Sequence, residues 1–428
     1  MEQALGPTKA TERIAVLDIL RGFAIFGVLV VNTFYFFNPF LASPEATISS
    51  TADRTAYFII NFLFVAKFYT LFSFLFGLGM YIQMKRSQEK GVRFVPLYLK
   101  RLLILAMFGF AHGVLLWIGD ILLTYAITGV VLLLFFRNCK PRTLLIWAII
   151  LITLPLIFMT VSVGSIELAR MAPEETGIYA EVEAGFAEAI QQIEADNAND
   201  YDVYANGSFL DITAERFNDF ISLLLTITWF TIPPVLAMFL LGVRAGKREW
   251  FTNPEAHQNT FRNLLLWALP LGLLLNFYVA ITGFSQNQIG TSAESFNWMM
   301  LSQFFALSVG SVLLCLSYIA IIVQVCNTAT GARILKPLAP VGRMALSNYL
   351  THSIVMTTLA YGYGFGLFGS VGLAIGLLMS IVLYAIQIPL SNWWMSRFRF
   401  GPFEWVWRSL TYGTFQTMRV VKPQPATK

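Results

Sequence analysis

The chain has 428 residues, 57% of them hydrophobic, 15% aromatic and only 12% charged, with a mean hydropathy of +0.65. That balance excludes an ordinary soluble domain and indicates a polytopic membrane protein. The net charge of +5 does not signal nucleic-acid binding, because the Lys and Arg residues fall in alternate loops and near the termini, as the positive-inside rule requires.

A run of about 20 apolar residues spans a bilayer. Ten such runs occur, near 14–36, 56–82, 97–118, 120–137, 144–165, 217–243, 262–284, 297–326, 343–362 and 370–392. The short alternating segments of a membrane β-barrel are not found, so the expected fold is all-α, a polytopic helical bundle of about ten spans with both termini cytoplasmic. The first run is too long and too charged for the h-region of a signal peptide and reads as a retained helix. The basic links "QMKRSQEKGVRFVP" (83–96) and "RNCKPR" (137–142) are expected inside. Residues 167–219 hold 13 Asp and Glu against two Arg and are expected outside, where the helical spacing of 178–195 would cap the bundle mouth. The organisation is thus five helices over 1–165, an acidic extracytoplasmic loop over 166–216, five more helices and an interfacial segment over 217–413, and a cytoplasmic tail over 414–428. Pro155, Pro233 and Pro234 lie inside spans, where they either kink a helix or line a cavity. Cys139, Cys315 and Cys326 have no metal-ligand spacing and read as free thiols; no metal site is expected.

A charge at mid-bilayer costs about 2.5–3.5 kcal/mol, so each polar group in a span needs a partner or a purpose. In "RIAVLDILRGFAIFGVLVVNTF" (13–34), Arg21 and Asn32 are eleven residues apart and about 20° from alignment on a helical wheel, with Asp18 about 40° from Asn32. The three form one stripe that should face the bundle interior. An i,i+3 pair between Asp18 and Arg21 accounts for two of them, but not for Asn32. Arg101 and His112 repeat the eleven-residue spacing. Asp120 follows about 12 Å along the axis, so contact with His112 requires a bend. A buried His with a carboxylate in reach is equipment for proton abstraction, though a structural histidine between helices fits equally. Asn348, Thr351 and His352 share a face in "GRMALSNYLTHS" (342–353). Lys67 is either an intramembrane charge or the mark of a break at the outer edge.

Arg86, Arg93, Lys100, Arg101 and Arg343 gather on the expected cytoplasmic side, where they either bind phosphates or anchor the topology. Four Trp in "SNWWMSRFRFGPFEWVWRSLTYG" (391–413) form an interfacial belt, and Glu404 with Arg408 is expected to be a surface i,i+4 pair. The glycines of "YGYGFGLFG" (361–369) read as close packing or a turn.

The segments "LDILRGFAIFGVLVVN", "KFYTLFSFLFGLG", "RLLILAMFGFAHGVLLWIGDIL", "GRMALSNYLTHS" and "FGPFEWVWRSLTYG" together resemble the bacterial YeiB-like family, domain of unknown function number 418, over about residues 13–413. More distantly, Asp18-x-x-Arg21-Gly22 in a first helix is similar to the opening of transmembrane acyltransferases. Those proteins move an acyl group from cytoplasmic acyl-CoA to a sugar or other acceptor. Acyltransferase-3 proteins carry a histidine fourteen residues after that Asp, and this chain has Asn32 there. An amide can stabilise an oxyanion but cannot act as a base.

The resemblance therefore implies acyl transfer with His112 as the base and His352 as the alternative. Asp120 would join the catalytic group, and Asn32 would stabilise the thioester oxyanion. Arg101, Arg86 and Arg343 would hold acyl-CoA, a co-substrate and not a resident cofactor. Asp18, Arg21, Lys67 and Asn348 would contact substrate. Expected partners are the lipid bilayer of a bacterial inner membrane and a glycan or small-molecule acceptor, with homo-oligomers left open. The alternative is a proton-coupled or anion transporter using Asp18, Arg21, Lys67 and His112 as a relay.

Overall fold

The computed structural model describes residues 14–226, 228–283 and 294–420. Residues 1–13 of the first expected unit, residue 227 of the sixth expected span, the last residue of the seventh and residues 421–428 of the expected tail lie outside them. No strand occurs among the described residues, and the chain is a bundle of helices.

Helix α1 (Ala15–Phe37) opens with Asp18 in its first turn, where the helix dipole favours an acid. The second expected span is divided. α2 (Thr51–Leu63) begins at Ser50, whose hydroxyl accepts the Asp53 amide, and stops before a left-handed Ala66 (φ 64°). α3 (Lys67–Glu89) then starts at Lys67. The lysine Nζ donates to the carbonyl of Asn61 at 2.8 Å, in the last turn of α2, where the exposed carbonyls favour a cation. Lys67 thus marks the break that the sequence left open.

The remaining elements are α4 (Phe94–Leu115), α5 (Leu122–Val131, extended by a π-turn over Leu132–Phe136) and α6 (Pro141–Arg170). Next come α7 (Ile178–Asn206), α8 (Phe209–Thr226) and α9 (Thr228–Lys247). The short α10 (Gln258–Asn263) runs through a π-turn at Leu264–Ala268 into α11 (Leu269–Thr282), followed by α12 (Trp298–Cys326). The chain ends with α13 (Ala329–Leu335), α14 (Leu338–Arg343), α15 (Ala345–Ala360), α16 (Leu373–Arg397) and α17 (Pro402–Tyr412).

Among the described residues, each of the ten expected spans falls mainly on helix. Among the described residues, eight helical stretches are long and apolar enough to cross a membrane; the segments at 122–136 and 345–360 are shorter. Such helices associate through close packing and not through a hydrophobic drive. α1 is central, touching α3, α12, α14, α15 and α16. Its seam with α14 depends on two glycines, since a Cβ at Gly22 would sit 2.2 Å from the Leu338 carbonyl oxygen and one at Gly342 1.8 Å from that of Asp18.

The acidic insert is a helical hairpin whose first helix runs well past residue 195. The turn at Gly207–Ser208 is capped reciprocally by Asp211. The end of α7 docks on the glycine-rich segment. Tyr204 stacks on Phe368 at 5.3 Å and its carbonyl accepts the Gly362 amide at 2.8 Å, so those glycines serve close packing.

Candidate functional site

A cavity of about 1330 Å³ lies within the bundle. At one end it is lined by Arg21, Arg86, Arg101, Arg343, Arg399 and Arg408, with Asp18 and Glu404 between them. At the other it reaches α7, at Ile190, Ile193, Glu194 and Asn197. The shaft between is mainly apolar, and Pro155 and Pro234 both face it.

Local structure fixes the arginine end. Asp18 accepts from Arg21 at 2.8 Å, the i,i+3 pair the spacing suggested. Arg101 lies 3.8 Å over the Trp407 ring, and the indole N–H donates to the Arg101 carbonyl at 3.1 Å, so α17 holds the guanidinium at the cavity wall. Arg343 donates to the Arg399 carbonyl at 3.4 Å. Glu404 is not on the surface as expected. It is buried, accepting the Ser347 amide at 3.0 Å and hydroxyl at 2.5 Å, because α17 folds under α15. Six arginines against two carboxylates, both of them hydrogen-bonded, leave this end strongly positive.

Among the residues singled out from sequence, Asp18, Arg21, Asn32, Arg86, Arg101, Asp120 and Arg343 line the cavity; His112, Lys67, Asn348 and His352 do not. Asn348 donates to the Val341 carbonyl and to Ser391, while His352 Nε2 pairs with Gln387 at 2.7 Å. Both belong to a buried seam between α15 and α16. Asn32 faces the cavity, and its side chain has no hydrogen-bond partner among the described residues.

The required bend is present. The chain leaves α4 after Leu115, and residues 116–121 fold Asp120 back so that its Oδ1 lies 2.9 Å from His112 Nδ1. Its Oδ2 accepts the Leu123 amide at 2.8 Å and so caps α5. Gly109 makes room, because a Cβ there would meet Asp120 Oδ2 at 2.7 Å. On the other side of the ring, His112 Nε2 lies 2.8 Å from Ser353 Oγ. The result is an Asp120–His112–Ser353 chain with both ionisable side chains fully enclosed. Tyr349 covers the imidazole at 4.9 Å, lines the cavity and donates to the Gly119 carbonyl at 3.3 Å. The His112 ring therefore sits one side chain behind the cavity wall.

Ser353, Tyr349, Trp407 and the buried role of Glu404 were not evident in the sequence. Ser353 lies on the helix of His352, one residue along, and only the fold turns it toward α4. At the far end, Asp200, Glu215 and Asp219 bring carboxylate oxygens within 4.8 Å of one another where α7 meets α8. Burial, then the neighbouring Asp219 and Glu215, push the Asp200 carboxyl up to about 8.

A family model described as "Protein of unknown function (DUF418)" matches residues 245–414. The chain is 37% identical over 429 residues to "Uncharacterized protein YxaH" of Bacillus subtilis (strain 168), covering 96% of this chain and 98% of that protein. It is 27% identical to an "Uncharacterized 39.9 kDa protein in amylase 3'region" of Bacillus acidopullulyticus, covering 95% and 96%. "Uncharacterized protein YeiB" of Escherichia coli (strain K12) is 25% identical, with 94% and 96% covered. No solved structure matches the chain significantly.

Proposed function

The chain belongs to the DUF418 family, and from that premise we propose that it is an integral membrane acyltransferase drawing acyl groups from cytoplasmic acyl-CoA. The observation that carries the proposal is the polarity of the cavity. One end is an arginine ring suited to the phosphates of CoA, and an apolar shaft suited to a pantetheine arm and acyl chain rises from it. In this reading the arginine end is cytoplasmic and the α7 end extracytoplasmic. The positive-inside pattern of the sequence supports that orientation.

The thioester carbonyl is placed beside Asn32. Its free amide N–H groups stabilise the oxyanion that forms when an acceptor oxygen attacks. The base is His112. Asp120, which can only accept when ionised, keeps the proton of neutral His112 on Nδ1 and leaves the Nε2 lone pair for a hydroxyl, a place filled by Ser353. The acceptor reaches Nε2 when Tyr349 turns aside from the ring it covers.

A thermal-shift titration of the purified protein tests the donor site. Acyl-CoA is expected to raise the melting temperature by several degrees and free CoA by less, with both shifts falling when Arg101 and Arg343 are changed to Gln. A folded protein indifferent to both molecules would remove the proposal. A cavity reaching both ends also suits a transporter. pH-driven solute flux in proteoliposomes, with no covalent product, would favour that reading.

A further inference from the structure

A helix that ends inside a bundle leaves its last carbonyls without water, and a cation is the partner its dipole favours there. This chain meets the need twice with a side chain that is itself wholly buried. Lys67 donates to the Asn61 carbonyl in the last turn of α2. Arg216, on α8, donates from Nη1 to the Val114 carbonyl in the last turn of α4 at 3.1 Å, reaching a residue 102 positions away. Its Nε and Nη2 find no hydrogen-bond partner among the described residues. The acids beside it on α8 are engaged elsewhere, Glu215 accepting from Asn199 at 2.7 Å and Asp219 from Tyr204 at 3.2 Å. A buried guanidinium bonded to no carboxylate is unfavourable, so its contact with α4 needs a reason.

Val114 lies just past His112, at the point where α4 must stop. In a continuous helix its carbonyl would accept the amide of residue 118, and Asp120 would lie about 12 Å along the axis from His112. The guanidinium takes that amide's place. Residues 116–121 then turn back and bring Asp120 Oδ1 to His112 Nδ1. Further along, the bend is pinned by α1, α15 and α5. Trp117 Nε1 donates to the Tyr35 carbonyl at 3.2 Å, Tyr349 donates to the Gly119 carbonyl, and Asp120 accepts the Leu123 amide. Its start is held by α8. Besides the Arg216 bond, the Phe220 ring packs so closely on Gly113 that a Cβ there would lie 2.4 Å from Phe220 Cε2. Arg216 is itself held at 5.2 Å from the Tyr361 ring and 5.8 Å from that of Tyr204, at the end of α7.

We propose that Arg216 is a positioning residue for the His112–Asp120 pair. It stops α4 at the turn from which Asp120 folds back, and so makes the α7–α8 hairpin part of what fixes the tautomer of the buried imidazole. Arg216 does not line the cavity and acts only through the Val114 carbonyl. When that donor is lost, Val114 takes the next amide, α4 lengthens and Asp120 leaves Nδ1. The positioning stands on the bend alone; its effect on catalysis rests on the acyl-transfer reading above.

The test is magnetic resonance of the full chain in nanodiscs, with its three histidines isotope-labelled. An imidazole N–H held on a buried carboxylate resonates far downfield and exchanges slowly with water. His352→Gln, which leaves the pair in place, assigns the His352 signals by difference. Those signals arise in the seam with Gln387 and report that the bundle is folded. Arg216→Met is expected to abolish the downfield His112 signal or speed its exchange about tenfold or more, with the His352 signals unchanged. Arg216→Lys should restore it, because an ammonium reaches the same carbonyl. Arg216→Gln, too short to reach Val114, repeats the comparison should Arg216→Met not fold. The proposal is overturned by a parent without the downfield signal, by a parent-like signal in a folded Met or Gln variant, or by a signal that Arg216→Lys does not restore. Loss of the His352 signals in every variant, Arg216→Lys included, would also overturn it, since the arginine would then support the whole bundle and not the pair. Acyl-CoA in the same discs separates the two readings. A folded Arg216→Met that keeps the parent's thermal shift but turns over about tenfold or more slowly ties the position to catalysis. A parent indifferent to acyl-CoA removes acyl transfer and leaves the positioning standing.

Discussion

Asp120 and His112 meet as a fully enclosed pair, and the consequences of that enclosure reach stability as well as chemistry. Removing one partner of a buried pair strands the other, which costs about 3–5 kcal/mol. Truncating a neutral hydroxyl such as that of Ser353 costs about 1 kcal/mol. His112→Ala is therefore expected to melt well below the parent in detergent, and Ser353→Ala only slightly below. Equal melting points for the two variants would show that the Asp120 carboxylate is not stranded. Any loss of activity in His112→Ala has to be measured on protein shown to be folded. At this scale the sequence was informative where a charge was involved. The Asp18–Arg21 pair, the inward face of Asn32 and the His112–Asp120 association all followed from the cost of polarity in a span. Ser353 did not stand out, because serine is common in membrane helices and usually satisfies itself. Whether a hydroxyl is paired depends on neighbours that only the fold supplies.

The hairpin of α7 and α8 lines the far end of the cavity, and its packing carries a pH dependence. Burial and the neighbouring acids hold the Asp200 carboxyl well above the ordinary carboxylate range in the folded chain, and unfolding releases it to that range. A carboxyl whose folded pKa is raised contributes stability below its unfolded pKa, and that contribution is lost as pH rises through the folded value. The acids facing it, Asp219, Glu215 and Asp196, make its deprotonation meet repulsion. Limited proteolysis within 178–226 is expected to accelerate between pH 6 and pH 9, and Asp200→Asn to abolish the increase. An unaltered profile in the variant would place the pH sensitivity elsewhere. The ten apolar runs were legible as helices because length and hydropathy alone dictate them. The division of the second run was harder to read. It depends on a left-handed Ala66 and on Lys67 reaching back to the carbonyl of Asn61, and neither leaves a gap in hydropathy.

Across the molecule, the arginine end and the α7 end belong to one cavity, and a single position tests whether a ligand uses its length. Gly79 on α3 lines the shaft close to the arginines, and a Cβ there would meet nothing nearer than Arg21 Nη2 at 3.9 Å. It differs in this from Gly77, whose Cβ would lie 2.0 Å from the Phe239 carbonyl oxygen in the α3–α9 seam. Substitution at Gly79 is therefore free of backbone conflict, and replacing a helical glycine adds up to about 1 kcal/mol of helix propensity. Gly79→Ala should leave ligand responses intact and serve as the folding control. Gly79→Leu should obstruct the shaft above the arginine ring. If CoA phosphates sit on that ring and the acyl chain extends along the shaft, the leucine variant will respond to free CoA as the parent does. It will lose the additional stabilisation that lengthening the acyl chain gives the parent. A chain-length dependence that survives in Gly79→Leu would mean that the acyl group lies outside the cavity, in the bilayer or at the protein surface. The arginines would then hold the headgroup of an otherwise membrane-embedded donor.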